Sequence, residues 1–261
     1  MNNYLHVTEI PGLKASSEQL SMIITRYHFA KKNIQGKKII ELACGSGSAL
    51  SYLINNSQEI IGLDIDPELI TIAKNTNLEF SNVFVQQGDA EKLFLDKESI
   101  DTIIFFEAIY YIKNITIFFN EISRVIKKNG FFIISSVNPQ WHGFNPSINS
   151  TRYFQIEELL DELNKYNFVC QSSYVGFYNP KSKNKFMNYL KILAVSFNLI
   201  PKTMQGKQIL KRIFFGKLKS IPTIISDDMA HLTELINYNQ IHKSEIINYK
   251  QFYLILKKNH E

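Results

Sequence analysis

The stretch KIIELACGSGSAL, Lys38 to Leu50, decides the fold. Its apolar, β-branched start reads as a strand, the two glycines as a tight turn, and SALSYLINN as the helix that follows. The pattern then repeats, with EIIGLDI as a second strand and Pro67 opening PELITIAKN as a second helix. A strand, a helix and a further strand in this rhythm make a βαβ unit, which requires a parallel sheet. NVFVQQGD continues it as a third strand and SIDTIIFFEAI as a fourth, whose almost unbroken apolar run suits a strand covered on both faces. Beyond these come NITIFFNEISRVIKK as a helix stopped by Asn129 and Gly130, GFFIISSVN as a fifth strand, IEELLDELNKY as a helix, FVCQSSYVGF as a sixth strand and INYKQFYLILKK as the last.

Upstream, Ser16 and Gln19 have capping-box spacing, and Leu20, Ile23, Ile24 and Tyr27 follow a helical stripe. One doubly wound α/β domain therefore spans 1–261: an N-terminal helical cap over 1–37, a core over 38–178, a helical insertion over 179–241 and a final strand over 242–261. The insertion offers two helical candidates, KFMNYLKILAVSFNL and MQGKQILKRIFFGKL, separated by Pro201 and followed by Pro222.

With 45% apolar and 13% aromatic residues the chain can bury a sizeable core. Cys44 and Cys170 form no metal or disulfide pattern, which fits a reducing compartment. No apolar run reaches a membrane span and no signal-peptide pattern opens the chain, so the expected location is cytoplasmic, with peripheral membrane contact left open. The net charge of +5 is uneven: Lys181 to Ile225 holds ten Lys or Arg and no acid, leaving 19 basic against 24 acidic residues elsewhere. Such a block is either a solvated face or a surface for an anionic partner.

A glycine turn after the first strand of a parallel sheet faces the ligand at the switch point. Here Gly45-Ser46-Gly47-Ser48-Ala49 runs into Leu50, so the third glycine of a dinucleotide fingerprint is missing, as is the Lys-Ser or Lys-Thr of a phosphate loop. What stands is Glu41-x-Ala43-x-Gly45-x-Gly47, followed by Asp64 after the second strand, Gly88-Asp89-Ala90 after the third, FFEAIYYI at the end of the fourth, and NEISRVIKKNGFFIIS. In this order and spacing the chain resembles a class I S-adenosylmethionine-dependent methyltransferase over about Lys38 to Phe168, with Ala43 replacing the first motif glycine.

The resemblance implies a three-layer sandwich with seven strands in the order 3-2-1-4-5-7-6, the last antiparallel, and S-adenosyl-L-methionine as cofactor. It implies that Glu41, Ala43, Gly45 and Gly47 form the cofactor loop, that Asp64 with Ile65 holds the ribose, that Asp89 with Ala90 holds adenine, and that Glu107 flanks the methionine part. Arg26 beside Tyr27 is either a partner for the cofactor's carboxylate or a solvated helix arginine. A positioned base is worth about 10² to 10⁴ in rate when the acceptor is a hydroxyl. His142, in NPQWHGF after the fifth strand, and His28 in the opening helix are the candidates.

Glu107-Ala108-Ile109-Tyr110-Tyr111 departs from the E-x-x-E-H run of related ubiquinone-pathway enzymes, which points to metal-independent transfer and to Tyr110 and Tyr111 as acceptor contacts with Trp141. VNPQWHGFNPSINSTRYFQIEELL and VTEIPG with RYHFA resemble a bacterial methyltransferase subgroup encoded among glycan and secondary-metabolite genes. This implies a small-molecule acceptor: a sugar, a glycoconjugate or another metabolite. Lys207, Lys211 and Arg212 in the insertion favour an anionic one. The rivals are a nucleic-acid or peptide methyltransferase, a non-catalytic cofactor-binding module and an NAD-dependent dehydrogenase. EAIY where base-methylating enzymes carry NPPY or DPPY argues against nucleic acid, and Leu50 argues against NAD. Monomer and homodimer stay open.

Overall fold

The computed structural model describes residues 8–54, 57–147, 149–180, 218–229 and 232–259. Its sheet contains β1 (Lys38–Leu42), β2 (Glu59–Asp64), β3 (Val83–Gln87), β4 (Ile100–Phe106), β5 (Ile126–Val137), β6 (Phe168–Tyr178) and β7 (Tyr249–Lys258). They lie in the expected order 3-2-1-4-5-7-6. β3, β2, β1, β4 and β5 are parallel, and β7 runs antiparallel between β5 and β6. An eighth strand that sequence reading did not anticipate, Ile236–Asn237, adds two residues beyond β6.

Alternate side chains of the central strands feed two separate cores, because successive strand residues point to opposite faces. Ile39, Ile104, Ile133 and Ile255 pack with α1 (Ser17–Asn33), α2 (Leu50–Leu53) and α3 (Pro67–Thr76). Their neighbours Ile40, Ile103, Ile134 and Leu254 pack with α4 (Ile115–Val125) and α5 (Ile156–Asn164) on the other face. Each such side chain contributes roughly 1.5–3 kcal/mol by leaving water.

Local signals place the helix starts. Ser16 Oγ accepts from the Gln19 amide and Gln19 Oε1 accepts from the Ser16 amide, at 3.1 and 2.9 Å, closing the capping box of α1. Asp66 caps α3 with Pro67 in its first turn. Helix ends depart from expectation: α2 is a single turn, and α4 stops at Val125 rather than at Asn129. There Ile126 is fully buried and extended and pairs with Ile100, before the ladder resumes at Phe131 opposite Thr102. Asn129, at φ 61°, turns the intervening excursion instead of ending the helix.

Both helical candidates of the insertion, with Lys207, Lys211 and Arg212, lie outside the described residues. Its final part, from Leu218, returns over the mouth of the sheet and pairs Lys219–Ser220 antiparallel with Lys14–Ala15. Among the described residues, no helix is long and apolar enough to cross a membrane, and Cys44 and Cys170 are both free.

Candidate active site

The carboxyl ends of β1 and β2 hold the glycine turn. Ala43, Gly45 and Gly47 all lie at positive φ, of 54°, 56° and 69°. The Gly45 amide donates to Asp64 Oδ2 at 2.8 Å while the Asp66 amide donates to Oδ1 at 3.0 Å, so one carboxylate ties the loop to the start of α3. Gly47 faces α3 rather than the cavity: a Cβ there would stand 2.8 Å from Ala73 Cβ. Asn77, which sequence reading missed, donates its amide to Gly47 O at 3.0 Å and Ala73 O at 2.9 Å and holds the loop on that helix.

Three acids and one arginine meet beside this loop. Glu41 is 1% exposed, takes a hydrogen bond from Tyr27, and keeps Oε2 without a partner. Burial pushes its carboxyl up to about 8 despite the Tyr27 bond and the Arg26 charge. Glu107, at φ 50°, accepts from Gln251 Nε2 at 3.0 Å and from the Tyr110 hydroxyl at 3.3 Å. Burial pushes it up to about 7, with nearby Arg26 opposing. Arg26 is buried and paired with Glu9. Burial works against its charge, but Glu9, Tyr27 and Glu107 outweigh it and raise the guanidinium above its ordinary value. Its Nε has no partner.

Glu9, Arg26 and Glu107 border a cavity of about 400 Å³, within the range of about 300–1,000 Å³ usual for small-molecule sites. Gly45, Asp64, Ile65, Asp89, Ala90 and Glu107 line its floor. The roof comes from Thr8 and Glu9, from Met22, Ile23 and Arg26 of α1, and from Ile221, Pro222 and Ile225. Gly12 donates to Ile221 O at 2.9 Å, Ile221 to Leu13 O at 2.8 Å and Ile225 to Ser48 O at 2.9 Å, so the roof segments hold one another and the glycine turn.

A family model described as "Methyltransferase domain" matches residues 33–214, more than two thirds of the sequence. The chain belongs to the methyltransferase-domain family. A phthiotriol/phenolphthiotriol dimycocerosates methyltransferase of Mycobacterium leprae is 33% identical over 131 residues, 49% of this chain and 48% of that protein. A fatty-acid O-methyltransferase of Mycolicibacterium smegmatis is 27% identical over 133 residues, again 49% of this chain and 48% of the relative. The chain thus spans about half the length of the curated relatives it matches. An S-adenosylmethionine-dependent methyltransferase from Thermotoga maritima shares the fold, with a TM-score of 0.54 at 15% identity over 92% of this chain and 90% of that one.

Within this member of the family the predicted residues divide. Arg26, Tyr27, Ala43, Gly45, Asp64, Ile65, Asp89, Ala90, Glu107, Tyr110 and Tyr111 come together around the cavity. Glu41 lies behind Tyr27, and Gly47 behind the loop. His142 does not line the cavity: Nε2 is 2.6 Å from Asn179 O, and its amide bonds Ile247 O. Asn138 builds that loop onto the C-terminal strand, donating to Ile246 O and Tyr249 O at 2.8 Å each. Trp141 sits in the same packing, its ring 4.9 Å from Lys250 Nζ. His28 turns the other way, with Nδ1 3.1 Å from the Tyr52 hydroxyl, which donates to Asp227 at 2.9 Å. Desolvation holds His28 below its ordinary range, with Lys32 and Lys31 adding to this against Asp227. Glu9 and Gln251 were missed because they reach the site from opposite ends of the chain.

Proposed function

We propose that the chain transfers a methyl group from S-adenosylmethionine to a hydroxyl or amine of a small-molecule acceptor, by in-line displacement without a metal ion. The observation that carries this reading is the cavity itself, where a positive-φ glycine turn, Asp64 and Asp89 stand opposite Arg26. The residues fit the donor. Arg26 lines the cavity and has a buried, unpartnered Nε to offer a carboxylate, while Glu41 supports Tyr27 from behind. The Asp64 carboxylate accepts from the Gly45 and Asp66 amides and, with two lone pairs on each oxygen, can still accept from a ribose hydroxyl. Asp89, with the Ala90 amide and the half-exposed Ile65 beside it, suits adenine. When bound, the donor supplies a methyl group on positively charged sulfur.

The protein's part is to orient the acceptor and exclude water, which accounts for much of the rate in a displacement that needs few reacting side chains. Among the described residues no cluster of three His, Cys, Asp or Glu side chains could hold a metal ion. The roof is apolar at Met22, Ile23, Ile221, Pro222 and Ile225. Together with the fatty acid in one relative's name, this favours an acceptor with a lipid-like body over a sugar.

Calorimetry should show S-adenosylhomocysteine binding and NAD not binding; the reverse overturns the reading. Transfer of tritiated methyl to dodecanol, 4-dodecylphenol, dodecylamine, dodecanoic acid and a nucleotide sugar separates acceptor classes. Turnover should survive EDTA.

A further inference from the structure

Glu107 lines the cavity at the carboxyl end of β4, beside the tyrosines of the turn that follows it. It follows β4 directly, and its backbone is fixed at φ 50°, a conformation that costs a non-glycine residue about 1–3 kcal/mol and persists where the surroundings impose it. The Glu107 amide donates to Ser135 O at 3.0 Å, locking the turn against β5. The side chain enters the cavity with each oxygen held by one donor, Gln251 from β7 and Tyr110 from the turn after β4. Both oxygens therefore keep accepting capacity, and neither donor neutralises the charge. Tyr110 and Tyr111 line the adjoining wall, with Tyr110 stacked on Tyr153 at 4.8 Å.

We propose that Glu107 is the proton acceptor for an acceptor molecule that bears a hydroxyl, a role that rests on the methyl-transfer reading above. The hydroxyl passes its proton to the Glu107 carboxylate while its oxygen pair forms the bond to the methyl carbon. The carbon–sulfur bond breaks and its pair stays on sulfur, which loses its positive charge. Glu107 leaves the turnover as a carboxylic acid and returns its proton to water. A carboxylic acid acceptor fits poorly, since as a carboxylate it has no proton to give and meets Glu107 as a like charge.

The groups facing Glu107 are Arg26 from α1, Glu9 from the N-terminal segment, Tyr110, and Gln251 and Tyr253 from β7. Burial outweighs Arg26 and leaves the carboxyl titrating at about 7, where a base is most useful at neutral pH.

The test uses sinefungin, in which an amine on carbon replaces the methyl on sulfur. Calorimetry at pH well above 7 should give sinefungin a tighter Kd than S-adenosylhomocysteine, and E107Q should shrink that preference by at least about tenfold, since removing one partner of a buried charge pair costs several kcal/mol and each tenfold step is about 1.4 kcal/mol. The preference should also fade as pH falls through about 7 in the natural protein and not in E107Q. E107D, with melting temperature as a check on folding, should keep part of it. An unchanged preference in E107Q, or methyl transfer to dodecanoic acid but to neither dodecanol nor 4-dodecylphenol, overturns the proposal. If neither cofactor analogue binds, the underlying methyl-transfer reading has failed instead.

Discussion

The floor and the roof of the cavity are built by different means. The floor is made at the carboxyl ends of β1 to β4, from backbone held in left-handed conformations at Ala43, Gly45, Gly47 and Glu107 and from acids tied to main-chain amides. The roof is made from short segments that hold one another through side chains and two-residue pairings, such as Lys31 with Asp227 and Lys14 with Ser220. A rigid scaffold that positions one ligand and a looser cover that meets another is how enzymes keep one chemistry while changing acceptors.

Changes to the floor should be severe. D64A removes the acceptor for both the Gly45 and Asp66 amides, leaving two buried donors at about 1–3 kcal/mol each. The binding of S-adenosylhomocysteine, followed by calorimetry, should weaken by more than about a hundredfold through loop disorder and lost ribose contacts together, each tenfold step being 1.4 kcal/mol. G47A forces a Cβ to within 2.8 Å of Ala73 at φ 69°, and urea unfolding should show a loss of about 1–3 kcal/mol.

The buried acids give the floor a pH signature. Glu41 titrates at about 8 and Glu107 at about 7 in the folded chain, both above their ordinary value of 4.5, so the folded state binds more protons between those limits. Stability should therefore be fullest below about 4.5 as far as these two groups are concerned, and fall as pH rises towards 8. Melting temperature against pH should show this, and E41Q should flatten the upper part of the fall.

Changes to the roof should be mild. D227N weakens an ion pair with Lys31 whose acid is 68% exposed, which should lower the midpoint of urea unfolding only slightly. The smallest effect, and the exception within the floor, should come from A43G, which removes no contact and relieves the left-handed strain at φ 54° at the expense of a more flexible unfolded chain. Its stability should rise by about 0.5 kcal/mol or less in the same assay.

The same division separates what the sequence disclosed from what it hid. The strands and the floor were legible because an apolar run, a glycine turn and an acid at a strand end are local signals, and the strand order came with the family resemblance that those signals carry. Asp64, Asp89 and Glu107 announce themselves within a few residues of a strand. The histidines were misplaced because nothing within NPQWHGF tells that Asn138 bonds Ile246 and Tyr249, drawing His142 onto the C-terminal strand. His28 is one turn position away from Tyr27 and Arg26, yet it faces Tyr52 and the roof's Asp227. Asn129 read as a helix stop because its left-handed preference is local, whereas the end of α4 follows from the burial of Ile126 beside Ile100.

The pairing of Lys14 with Ser220 joins positions 206 residues apart. Closing a loop of that length is entropically slow to be rewarded, since only a two-residue ladder forms at its end. The sheet and its glycine turn can assemble without it. Hydrogen exchange should therefore find the amides of Gly12 and Ile221 opening well before those of β4 and β5, so that the chain passes through a form with its donor site made and its cover still open.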